Sequence, residues 1–139
     1  MATAGITWNA EDVERFAQGE DMSSGDGLIV VDDSTAGQVI FADAVTESVL
    51  GVIVTESNSS TTGATVGVVP VSSGKVVRVK VDGSGTAIVY GDLIGASTTD
   101  GIGIKTTTDG HHVVGRAREA TTAANVFIKV AMGLAQRAS

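Results

Sequence analysis

The sequence predicts an all-β protein: a small antiparallel β-barrel or sandwich built from two similar halves, with an N-terminal arm. Three observations predict it. Valine occurs 21 times and leucine only 4 times, and β-branched side chains, stiff at χ1, suit a pleated surface better than a helix. Eighteen glycines and a single proline fit many tight turns and few rigid ones. The third observation is a repeat. Gly37 and Gly51 lie 14 residues apart, and so do Gly101 and Gly115.

The segments around those glycines correspond. Gly37-Gln38-Val39-Ile40 matches Gly101-Ile102-Gly103-Ile104, and Val49-Leu50-Gly51-Val52 matches Val113-Val114-Gly115-Arg116. Gly27-Leu28-Ile29-Val30 matches Asp92-Leu93-Ile94-Gly95 with a one-residue slip. Ala64-Thr65-Val66-Gly67-Val68 matches Ala124-Asn125-Val126-Phe127-Ile128 after a shorter loop. Spacing and residue type agree more than identity does, as expected of a structural repeat.

Residues 1–27 form the arm, extended or a short helix. Asn9-Ala10-Glu11-Asp12 reads as a helix start, with Asn9 as N-cap and acids in the first turn. Trp8 and Val13 are spaced for a hydrophobic staple, and Gly19 is a stop. The arm holds the only Trp and one of three Phe, Phe16, so it reads as a segment that docks on its own barrel or on a neighbour.

A β-barrel domain is expected over residues 28–132. Leu28–Asp32 and Gln38–Ala42 are strands joined by the turn-rich Asp33–Gly37. Val49–Thr55 precedes a polar loop, Glu56–Gly63. Ala64–Val69 ends at Pro70, which cannot donate a ladder hydrogen bond. Lys75–Val81 alternates, with Val77, Val79 and Val81 on one face and Arg78 and Lys80 on the other. Asp82-Gly83-Ser84-Gly85 predicts a hairpin to Thr86–Tyr90. Leu93–Ala96, Ile102–Thr106, His112–Glu119 and Asn125–Ala131 complete the strands, and the tail 133–139 is expected to be loose. Short strands at this spacing argue for a sandwich or barrel.

Length bounds the chain to one domain. With no cysteine there is no disulfide and no thiolate metal site. No stretch approaches the ~18 apolar residues of a membrane span, and nothing after Met1 resembles a secretion signal. The net charge of −7 repels phosphate backbones, so neither nucleic acid nor membrane is an expected partner.

Catalytic and metal motifs are missing from the sequence: there is no G-x-S-x-G, no G-x-x-x-x-G-K-[ST] and no H-E-x-x-H. His111-His112 point to opposite faces of a strand and cannot grip one ion together. Asp26, Asp32 and Asp33 lack the order of a calcium loop and read as turn formers. No enzyme, metal or cofactor is expected.

Four segments carry a family resemblance: Gly27-Leu28-Ile29-Val30-Val31, Val49-Leu50-Gly51-Val52, Gly91-Asp92-Leu93-Ile94, and Val113-Val114-Gly115-Arg116-Ala117-Arg118-Glu119-Ala120. Together they resemble the decoration (cement) proteins of tailed-bacteriophage heads, over about residues 20–131. Arg116 departs from the pattern, standing where the refrain is usually apolar. The resemblance implies a homotrimer on the outer surface of the virion capsid, gripping the major capsid protein lattice and stabilising contacts between capsomers. Trp8, Val13 and Phe16 are the expected capsid contacts, and Arg78 and Arg116 the expected subunit contacts. Deleting residues 1–18 should then abolish capsid binding and leave the barrel folded. The alternative is a secreted or surface binding module such as a carbohydrate-binding β domain, which the scarcity of aromatic residues disfavours.

Overall fold

A computed structural model describes residues 13–54, 61–107 and 111–137. The chain is all-β, as the sequence predicts, and forms two closed five-stranded barrels. The first contains β1 (Glu14–Gln18), β2 (Ile29–Asp32), β3 (Gln38–Phe41), β4 (Gly51–Ile53) and β5 (Thr65–Pro70). The second contains β6 (Val76–Val81), β7 (Leu93–Ala96), β8 (Gly103–Lys105), β9 (His112–Ala117) and β10 (Val126–Arg137). A single 3-10 turn, Val71–Ser73, joins them.

The barrels have one topology. Around the first the order is β1-β3-β2-β4-β5, and around the second β6-β8-β7-β9-β10. Each closes through one parallel pair, β1 with β3 and β6 with β8, all other pairs being antiparallel. The register repeats as well. Val30 lies opposite both Phe41 and Gly51, and Ile94, 64 residues on, lies opposite Lys105 and Gly115. Gly27 N–H donates to Ile53 O at 2.8 Å, and Gly91 N–H to Ala117 O at 2.8 Å. Both of these glycines are left-handed, with φ of 79° and 92°.

This register corrects two details of the sequence alignment. The second strands match without a slip, so Ile29 corresponds to Leu93 and Gly27 to Gly91. The fifth strands match two residues further along than expected: Val68 corresponds to Val130, since each lies opposite the last residue of its neighbour strand, Ile53 or Ala117. A two-residue shift keeps the same side chains inward, so periodicity alone cannot detect it.

Three further expectations change. Glu14–Gln18, expected in the arm, is a strand pairing with both β3 and β5, so the first barrel cannot close without it. The boundary at residue 28 therefore moves upstream; residues 1–12, including Trp8 and the Asn9 cap, lie outside the described residues. No hairpin follows Asp82. Instead Asp82 Oδ1 accepts from Ser84 N–H at 2.8 Å and Ser84 Oγ at 2.6 Å, and β6 pairs with β8 and β10. Within Thr86–Tyr90 the ladder amounts to one bridge, Ile88 to Thr121. The tail expected to be loose continues β10, with Arg137 opposite His112 after a register shift.

Strand alternation fills each barrel. Val30, Val39, Phe41, Ile53, Val66 and Val68 form the first interior, with Phe16 packed against them. Val77, Val79, Val81, Ile94, Ala117, Ile128 and Val130 fill the second. The same cluster takes in Ile29, Val31, Val52 and Val69, which alternate to the outside of the first barrel. The barrels thus dock through one outer wall of the first. Fully burying a Val or Ile stabilises by about 1.5–3 kcal/mol, so this wall contributes comparably to a small core.

Backbone bonds stitch the same seam. Ile29 N–H donates to Gly101 O at 2.8 Å, Gly101 N–H to Ala42 O at 2.7 Å, and Lys80 N–H to Gly27 O at 2.8 Å. Here the two halves differ. Ala17 N–H, the counterpart of Lys80 N–H, donates within its own barrel to Gly37 O at 3.0 Å. In the second barrel the corresponding donor and acceptor are released to join the barrels together.

Candidate functional site

The residues expected to make contacts fall in three places. Val13 is half-buried and packs against the shared core, and Phe16 is half-buried against the first interior. Both direct apolar surface into their own chain, Phe16 from within β1 and Val13 from the residue before it. Trp8 lies outside the described residues. Arg78 is half-buried at the seam, where it lines a cleft of about 250 Å³ with Asp26, Gly27, Ile53, Val54 and Phe127. Phe127 lies directly over Gly27: a Cβ there would come within 2.5 Å of the ring. Lys80 Nζ stands 5.9 Å from the centre of the Phe127 ring.

Arg116 is exposed, and Nη1 donates to Gly91 O at 3.0 Å. The repeat explains its departure from the apolar refrain. Its counterpart is Val52, fully buried under the second barrel. At the equivalent wall of the second barrel Leu93 and Ala131 are half-buried and Arg116 is exposed, so a cation can stand there. At its rim lie Val89 and Tyr90, the latter 68% exposed. The Arg118 guanidinium sits 5.9 Å from the Tyr90 ring centre, and Lys105 pairs with Asp92 at 3.5 Å.

Charge divides sharply between the halves. Residues 1–74 hold eleven carboxylates and one arginine, whereas residues 75–139 hold five carboxylates and eight lysines and arginines. The first half is strongly acidic and the second mildly basic. Sequence reasoning located acid in residues 1–27 but missed this division, although a count by halves shows it.

Two of the polar groups singled out in the sequence, His111 and Asp33, have local partners. His111 Nδ1 lies 3.0 Å from Thr106 Oγ1, and His112 opens β9. Asp33 Oδ1 accepts from Ser34 N–H at 2.7 Å, as a turn former does. Asp21 and Asp82 have carboxyls held below the ordinary carboxylate value, chiefly because a serine hydroxyl two residues on donates to each, helped by that serine's N–H. A second cleft, about 430 Å³, lies between Val45, Asp82, Ser97, Thr99 and Asn125. Ser97 Oγ is engaged there with Ile102 O at 2.8 Å. Among the described residues, no three His, Asp or Glu side chains are grouped to hold a metal ion.

No protein-family model matches the chain, and no curated protein matches it in sequence.

Proposed function

We propose that this chain is a structural virion protein that binds the outer surface of a mature phage capsid as a homotrimer and stabilises contacts between capsomers. One observation carries this reading. The four segments resembling decoration proteins occupy matching places in the two barrels: two lead into β2 and β7, and two run through β4 and β9. The refrain is thus the repeating structural unit of the chain. A clip that binds only the expanded lattice shifts the equilibrium toward it, and many weak copies hold through multivalency. The net charge of −7 suits the face turned away from packed nucleic acid. A carbohydrate-binding role is less well supported, since Arg118 occupies the neighbourhood of the exposed Tyr90 ring.

The test is co-sedimentation with empty expanded heads. The full chain should pellet with expanded heads and not with unexpanded ones, and absence of binding to either would refute the proposal. The arm must be tested by removing residues 1–12, because removing 1–18 deletes β1. Loss of binding by this truncation, with an unchanged β-type circular-dichroism spectrum, would assign the lattice contact to the arm. Retained binding would move that contact to the barrels.

A further inference from the structure

We propose that copies of this chain associate head-to-tail, the outer wall of the second barrel around the exposed Arg116 receiving the first barrel of another copy. The inference deepens the self-association in the capsid reading by naming its two surfaces, and it stands or falls without the capsid. It rests on what already covers the matching wall inside the chain.

The internal contact is heterologous. The first barrel presents a wall, with Val69, Val52 and Ile29 aligned across β5, β4 and β2. The second barrel presents a different surface, an edge bearing Lys80, Gly101 and Phe127. Each barrel has the strands to offer both surfaces, but the chain uses each only once, and on the first barrel Ala17 N–H and Gly37 O are bonded to each other, so its contact would rest on side chains. This leaves a wall on the second barrel, with Ala131, Arg116 and Leu93 in the same alignment. It also leaves an edge on the first barrel, where Ala17, Gly37 and Thr65 occupy the places of Lys80, Gly101 and Phe127. A heterologous contact of this kind closes into a ring or continues as a filament. Three copies in a ring would set six barrels around one axis.

Charge favours the second copy as the occupant. The free wall belongs to the basic half and carries Arg116 with Arg118 at its rim, whereas the free edge belongs to the acidic half. Opposite potentials steer and orient such an encounter. Tyr90 supplies an exposed aromatic anchor beside two arginines, the residue types enriched at contact hot spots. In the covered wall Gly27 O accepts from the docked barrel's Lys80 N–H; in the free wall Arg116 holds the equivalent Gly91 O. The guanidinium keeps that acceptor satisfied until a neighbour arrives.

Sedimentation of the full chain tests this. The wild-type mass should be a multiple of 14.0 kDa that falls as salt is raised. Arg116→Glu on the wall and Thr65→Arg on the edge should each reduce it to the monomer. Leu93→Asp, which leaves the Arg116 bond to Gly91 intact, should do the same, and unchanged far-ultraviolet circular dichroism would show that each variant is folded. Mixing Arg116→Glu with Thr65→Arg should restore one good contact and give a dimer. A wild-type monomer at every concentration, an oligomer indifferent to all three variants, or a mixture that stays monomeric would each overturn the proposal.

Discussion

Replacing Gly51 or Gly115 by alanine should destabilise the protein by similar amounts, because the two glycines occupy one structural position. A Cβ at Gly51 would stand 2.3 Å from Val69 O, and one at Gly115 would stand 2.2 Å from Ala131 O. Val69 and Ala131 are themselves counterparts on the fifth strands. The obstacle in both cases is backbone, so no rotamer change relieves it, and adjacent barrel strands must move apart. Overpacking of this kind costs about 1–3 kcal/mol and occasionally more, whereas alanine returns only about 0.4–1 kcal/mol by restricting the unfolded chain. With the backbone as obstacle, a net loss toward the upper part of that difference, about 1–2.5 kcal/mol, is expected. For a chain of this length, an unfolding entropy of ~2.1 cal/mol/K per residue turns that loss into a fall of about 3–9 °C in Tm. Gly133 is the control. Nothing lies within 4 Å of a Cβ there, so its alanine variant should be neutral or slightly more stable. Calorimetric melting of the three variants measures the difference. A neutral Gly115→Ala beside a destabilised Gly51→Ala would refute the equivalence of the two positions.

Other consequences can be checked together. Removing residues 1–18 should abolish cooperative unfolding, since β5 and β3 lose their shared neighbour, whereas removing 1–12 should leave a sigmoidal melt. Glu20→Ala should cost about 1.5–3 kcal/mol, because Oε2 accepts the Phe41 N–H at 2.8 Å; a shift in urea midpoint reports it, and an unchanged midpoint would exclude that role. Asp21 and Asp82 have folded-state values below the ordinary one, so what they contribute is present at neutral pH and lost as pH falls through those values. Carbon-detected NMR titration should find both carboxyls protonating below ordinary aspartate, and Ser84→Ala should bring Asp82 back toward it.

Much of this fold was legible because its signals are local and periodic. The alternation of Val77, Val79 and Val81 gave β6, and Leu93–Ala96 was placed with its observed limits. The glycine pairs marked true equivalents because left-handed φ and close backbone approach admit little else: Gly37 and Gly101 have φ of 81° and 70°. What failed was decided by distant partners. Glu14–Gln18 carries the end of a convincing helix signal, but pairing on both sides overrides local propensity. The turn after Asp82 was recognised, yet its geometry does not return the chain on itself, because β6 finds neighbours more than 20 residues away. Arg116 stood out as an anomaly in the sequence, but only the docking of one barrel on the other explains why Val52 is apolar and its counterpart is charged. The division of the chain into two closed barrels could not be read from strand count, since ten strands also make one larger barrel.

The short join between the halves has a mechanical consequence. Val71 N–H is bonded to Leu50 O at 3.0 Å and Met132 N–H to Lys75 O at 2.9 Å, which pins both ends of the connector to the barrels it links. There is no slack to take up a pull. A pull on one half should therefore reach the other through this connector and the bonds of Ile29, Gly101 and Ala42 together, with little sliding of one barrel on the other before those bonds break.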